Sequence, residues 1–239
     1  MLFTLIFILS VIQSIFGIGL LILGTPLLLL VNLEFIEILS ILLPCSMLIS
    51  FLQIIYSKNK INNSEKKLIF LSLPFIIAGL FFLKFFIVKI NFKIFVGVSI
   101  QLILLCKLIS KKIFINKIFI KYKKIIIILI GIFHSLTNVG GTLLSILFQE
   151  IHTNKEKIKA NICYAYLFFA SIQYLSIRIF FANVRFDIEN LYLLIICILG
   201  FLIGNKFFSK IKNNLFLLIL NLLIFISASS LIFLSFLKF

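Results

Sequence analysis

The residues best suited to chemistry lie where hydrocarbon side chains would be expected. The segment Thr137-Asn138-Val139-Gly140-Gly141-Thr142 sits inside the charge-free run Ile125–Gln149, just after His134 and Ser135. Adjacent glycines weaken a helix, and a bilayer forbids loose backbone unless protein buries it or a polar cavity solvates it. A helix that starts after such a break offers N–H groups without intrahelical acceptors, together with the positive end of its dipole. That combination binds an anion without a cationic side chain. Thr25, Thr137, Asn138 and Thr142 are placed to add hydrogen bonds. The competing reading is close helix packing through small residues. It fits Gly17 and Gly19 as well as binding does. Asn138 favours function, because an amide in lipid needs a partner.

Four further candidates follow. His134 lies one or two turns before the break and either bonds a carbonyl structurally or touches substrate. Gln53 and Gln173 fall one in each half and either line a pathway or bridge helices. Arg178, near a span end, either snorkels to the headgroups or guards a mouth for anions. The acids Glu34, Glu37, Glu65, Glu150, Glu156, Asp187 and Glu189 all fall at span ends or in loops, so no carboxylate sits at membrane depth for proton coupling. An anion leaving a negative interior needs none, since the potential supplies about 2.3 kcal/mol per charge per 100 mV. His152 is the other histidine and lies in a loop, so no metal or haem site is expected, nor any other cofactor. Paired acids, H-E-x-x-H and G-x-S-x-G are missing, so the chain reads as a non-enzyme.

These residues must be positioned by membrane helices. Hydrophobic residues make up 63% of 239, and the mean hydropathy of +1.28 excludes a soluble globular domain. There is room for about eight spans of roughly 20 residues. The net charge of +16 is almost all lysine, in short tracts between apolar runs. It therefore reads as anchoring and topology signal, not as a nucleic-acid face. The runs are Leu2–Leu33, about Ile38–Tyr56, Leu68–Val88, Phe92–Ile109, Ile125–Gln149, Ala160–Phe181, Leu191–Phe208 and Leu215–Leu237. As one straight helix, Leu2–Leu33 would be about 48 Å long against a hydrocarbon core of about 30 Å, so it must tilt, break or turn back.

The chain also repeats. Ile15-Phe16 and Gly24-Thr25 match Ile132-Phe133 and Gly141-Thr142 at an offset of 117. Gln53 matches Gln173 at 120, and Gly79 with Lys89-Ile90 matches Gly200 with Lys210-Ile211 at 121. The slow drift predicts a duplication with small insertions. The expected architecture is an all-α polytopic membrane protein of about eight hydrophobic segments in two homologous four-segment halves. The first segment of each half is broken or re-entrant. Residues 1–110 form the first repeat, 111–124 a basic loop and 125–239 the second repeat. The lysine distribution fits re-entrant first segments better than full crossings, and both are compatible with the sequence.

With these motifs in hand, the chain resembles the TauE/SafE family of sulfite exporter-like permeases. The matching residues are Gly140-Gly141-Thr142, Ala160-Asn161-Ile162-Cys163, the G-x3-G of Gly200 to Gly204, and the basic turn Lys210-Ile211-Lys212. Three departures stand out: Gly17-Ile18-Gly19 with an isolated Gly24 in the first half, Leu143 where a proline is usual, and His134 where a small residue is expected. The resemblance implies a multi-pass carrier in the inner (plasma) membrane for a small anion such as sulfite, a sulfonate or another organic acid. Expected partners are that anion and the lipid bilayer, with homo-oligomerisation open. Substrate contacts are expected from Gly24, Thr25, Gln53, His134, Thr137, Asn138, Gly140, Gly141, Thr142 and Gln173. The alternatives are a thiol–disulfide electron carrier using Cys45 and Cys163 (offset 118, neither beside a cation in sequence), or a non-catalytic subunit of a larger permease.

Overall fold

The computed structural model describes residues 2–57, 59–86, 98, 120–138, 140–181 and 188–236. Within these the chain is helical, with no strand: α1 (Leu2–Phe16), α2 (Leu20–Leu30), α3 (Phe35–Tyr56), α4 (Asn63–Phe86), α5 (Lys123–Thr137), α6 (Gly140–Ile151), α7 (Lys155–Phe180), α8 (Ile188–Lys210) and α9 (Asn213–Phe236). The apolar run expected at Phe92–Ile109, Cys106, most of the basic loop, Arg185 and Asp187 lie outside the described residues. Four helices, α3, α4, α7 and α8, are long and apolar enough to cross a membrane.

Both expected interruptions are present. The first run splits at Gly17–Gly19 into α1 and α2, of about 22 and 16 Å at 1.5 Å per residue. Gly17 has φ +78°, a conformation that glycine adopts without steric penalty. The fifth run splits at Asn138, whose φ of +61° ends α5 in the left-handed region that Asn tolerates. The chain turns sharply there. A Cβ on Gly140 would lie 2.8 Å from the Ile130 carbonyl oxygen, ten residues back. The α2–α3 turn is closed by Asn32 at φ +64°, with Leu33 N donating to Leu28 O and Asn32 N to Leu29 O, the Schellman arrangement.

Around an apolar core, polar side chains are also buried and many large apolar ones are exposed. Ser10, Gln13, Ser14, Thr25, Ser46, Ser50 and Gln53 are buried, while Phe81, Ile179, Leu199 and Leu218 are exposed. Exposed large apolar side chains over polar helix contacts mark a surface that faces lipid.

Small residues set the helix pairs. α1 packs on α8, α5 on α4, and α3 on α7. Gly200 and Gly204 of α8 lie against Ser10 and Ser14 of α1, where added Cβ atoms would each come within 2.6 Å of a serine Cβ. Ser14 Oγ donates to the Phe201 carbonyl at 2.9 Å. On the other side, Gly79 of α4 faces Ser135, and Gly131 of α5 faces Ser72. The G-x3-G of α8 thus seats α1; without Cβ atoms the two backbones approach closely.

Candidate functional site

The second break touches α2. Asn138 Nδ2 donates to Thr25 Oγ1 at 2.8 Å, joining the end of α5 to the middle of α2, and both residues are fully buried. The alignment that pairs Gly24-Thr25 with Gly141-Thr142 predicts both at helix starts. Only the second pair is there. Gly24 and Thr25 lie a turn inside α2, because the first break falls at Gly17–Gly19. The second break comes three to four residues later in register, so α5 runs about one turn further than α1.

At the first break two glutamines hold backbone groups on both sides of the interruption. Gln53 Nε2 donates to the carbonyls of Gln13 (2.8 Å) and Ser14 (3.0 Å). Gln13 O also accepts the last helical amide, Gly17 N, at 2.7 Å, whereas Ser14 O lies past the end of the α1 ladder. Gln53 Oε1 accepts from the Cys163 thiol at 3.1 Å. Gln13 Oε1 takes the first amide of α2, Leu20 N, at 3.2 Å, and its Nε2 reaches Ser46 Oγ at 3.0 Å. Of the two readings open for Gln53, the helix bridge describes its bonds. Gln13 went unrecognised in the sequence, although it is an amide in a charge-free run, four residues before Gly17.

The second break is different. Its backbone is closed locally: Asn138 N donates to His134 O, Thr137 Oγ1 to Phe133 O, and Ser135 Oγ to Ile132 O. Its side chains are not. Both ring nitrogens of His134, Asn138 Oδ1, Tyr166 Oη and both amide atoms of Gln173 are buried without a hydrogen-bond partner among the described residues. Those of His134, Asn138 and Tyr166 gather around the first turn of α6. A Cβ on Gly141 would lie 1.5 Å from Tyr166 Oη, and one on Gly140 would lie 2.6 Å from His134 Cβ. The His134 ring stands 5.7 Å from that of Tyr166 and 5.2 Å from that of Phe169. Tyr166, Phe169 and Gln173 share one face of α7 at helical spacing. Buried polar groups normally find partners, and each orphan costs about 1–3 kcal/mol. Such a concentration beside a helix N-terminus is what a polar guest would satisfy.

A family model described as Sulfite exporter TauE/SafE matches residues 2–231. The chain belongs to the TauE/SafE sulfite exporter family. It is thus a multi-pass membrane protein of a transporter family, not an enzyme family. No curated protein and no solved structure matches the chain.

In this TauE/SafE chain Tyr166 was missed by sequence reasoning, and the signal was its place seven residues before Gln173 on the same helix face. The cysteines aligned by the repeat are not partners. Cys45 lies against Cys197, whereas Cys163 bonds Gln53. Cys163 does have a cation one turn away, Lys159, which the linear sequence reading passed over. Arg178 is exposed at the end of α7 with its guanidinium 5.9 Å from the Tyr174 ring centroid, and Ile179 beside it is 76% exposed. His152 pairs with Glu65 at 2.7 Å, tying the loop before α7 to the first turn of α4.

Proposed function

We propose that the chain is a permease of the inner membrane for a small anion such as sulfite, a sulfonate or another organic acid, held at the first turn of α6 where the second break touches α2. The observation that carries this is the cluster of unpartnered polar atoms on His134, Asn138 and Tyr166 around that turn. Tyr166 Oη and one His134 nitrogen supply donors, and the α6 amides add the positive end of a dipole. Asn138 Oδ1 and the second imidazole nitrogen are acceptors, so the guest also carries a hydrogen, as a protonated oxyanion or a companion water does. All these atoms are buried, which describes an occluded conformation that must open to exchange substrate.

The proposal includes two four-segment halves related by duplication. In support, the helix pairs exchange in register: α1 on α8 mirrors α5 on α4, α8 on α3 mirrors α4 on α7, and α3 packs on α7 as its own counterpart. Repeats with discontinuous first helices at their interface suit alternating access. The sharp turn at Gly140 favours re-entrant first segments. With no carboxylate at membrane depth, outward movement driven by the membrane potential needs the least machinery.

The test is efflux of sulfite and methanesulfonate from proteoliposomes under an imposed potential. Wild type carries at least one of them, and Asn138→Leu inserts normally but loses flux more than tenfold. Normal flux in Asn138→Leu reduces the cluster to a packing feature. A fixed proton or sodium stoichiometry removes the potential-driven reading.

A further inference from the structure

A cavity of about 370 Å³ opens where the C-terminal ends of α3 and α8 meet the start of α7. Gln53 and Cys163 form part of its lining, Lys159 and Phe208 another part, and Lys155 and Glu156 come from the first turn of α7. Three charged groups line it, and two are engaged. Lys155 Nζ donates to the carbonyls of Phe208 and Ile211 at the negative end of α8. The Glu156 carboxylate accepts from Asn59 Nδ2 at 3.3 Å. Lys159 is the third. It is 7% exposed, its Nζ lies 3.7 Å from the Phe208 ring centroid, and no described carboxylate pairs with it.

A buried ammonium held only over an aromatic face destabilises a fold unless something compensates, because the ring replaces only part of the lost hydration. The cavity beside it is large enough for a small ligand. It also leads somewhere. A Cβ on Gly17, in the first break, would lie 3.3 Å from Cys163 Sγ. From Lys159, the buried polar residues Cys163, Tyr166 and Gln173 follow at steps of four, three and seven, one face of α7. At 1.5 Å per residue that stripe rises about 21 Å, past the unpartnered cluster at the second break.

We propose that this cavity is an anion-binding vestibule, separate from the site at α6, in which Lys159 is the counter-ion for a small oxyanion. Binding in the vestibule stands on its own geometry; onward passage along the α7 stripe rests on the permease reading above. The vestibule differs from the α6 site in kind, since a full side-chain charge recognises the ligand there. It favours anions over neutral isosteres and weakens as salt rises.

The test uses the purified full chain, with thermal unfolding followed by light scattering in sodium sulfite, sodium methanesulfonate or sodium chloride at equal ionic strength. Sulfite or methanesulfonate raises the midpoint of wild type, of Lys159→Arg and of Lys157→Gln, an exposed lysine outside the cavity. Lys159→Met unfolds at a higher temperature than wild type in chloride, because an uncompensated charge has gone, and loses the anion-dependent rise. In proteoliposomes Lys159→Met raises KM about tenfold with kcat within twofold, whereas Asn138→Leu abolishes kcat. A lower chloride midpoint for Lys159→Met with its anion response intact would make Lys159 structural and overturn the vestibule. So would a wild type that responds to neither anion. An anion response lost in Lys159→Met, with no transport by wild type, upholds the vestibule and sinks the permease reading. Transport with KM and response unchanged in Lys159→Met does the opposite.

Discussion

The hydrogen bond between Asn138 and Thr25 can be measured by a double-mutant cycle. It is 2.8 Å long and fully buried at both ends. Thr25→Val is near-isosteric and strands the Asn138 amide, at about 1–3 kcal/mol. Asn138→Gly keeps the backbone at φ +61° and removes both amide atoms, including the unpartnered Oδ1. Its cost is smaller, because the Thr25 hydroxyl can rotate to a carbonyl of its own helix. Bonds between membrane helices average about 0.6 kcal/mol in such cycles and reach about 1.7. A coupling near 1 kcal/mol is expected, roughly fivefold in the unfolding constant. Asn138→Ala adds about 1–2 kcal/mol for forcing an L side chain into the left-handed region, so it must be worse than Asn138→Gly. The assay is denaturant unfolding in lipid nanodiscs for the two single variants, the double variant and wild type. Additivity within about 0.3 kcal/mol would refute the contact between the second break and α2. Equal stability of the Ala and Gly variants would refute the left-handed turn.

Two further outcomes follow from the same geometry. Gly141→Ala places a Cβ 1.5 Å from Tyr166 Oη and 2.4 Å from Cζ of a fully buried ring, so about 1–3 kcal/mol of stability and most of the flux are lost. Tyr166→Phe does not rescue it, because the contact with Cζ persists; rescue would show that the ring moves freely. Gln53→Leu strands the Ser14 carbonyl at the end of α1, while Gln13 O keeps Gly17 N, and lowers stability by about 1–3 kcal/mol. An unchanged unfolding midpoint would mean that water, not Gln53, closes the first break.

Much of the fold was readable in the chain because hydrocarbon leaves backbone few choices. Both interruptions were expected from glycines in charge-free runs, and both are present. Their register was not legible. The motif Gly24-Thr25 aligns with Gly141-Thr142, yet the break follows Gly17, whose positive φ decides it, and in the second half it follows Asn138. An amide that tolerates the left-handed region moved the turn one helical step along, which no matching of glycines reports. Tyr166 and Lys159 were also hidden. Each reads alone as an ordinary span residue, and only helical spacing along α7 and packing against α6 and α8 give them neighbours. Two-residue identities do not reveal which polar atoms lack partners.

The two glutamines spaced 120 residues apart make the sharpest contrast. Gln53 spends both ends of its amide on structure, two carbonyls and a thiol. Gln173 is equally buried and has neither atom bonded among the described residues. It cannot copy Gln53, because α5 continues past the register at which α1 stops and its carbonyls there already have helical donors. An unpartnered buried amide costs about 1–3 kcal/mol, so Gln173→Leu should unfold at a higher temperature than wild type where Gln53→Leu unfolds at a lower one. If Gln173 serves the substrate, that gain comes with lost flux, the usual trade at a site built for a guest. Unfolding midpoints and efflux rates on the same preparations decide it. A destabilised Gln173→Leu would show a structural partner, and a stabilised variant with full flux would take Gln173 off the pathway while leaving Tyr166 and Asn138 in place.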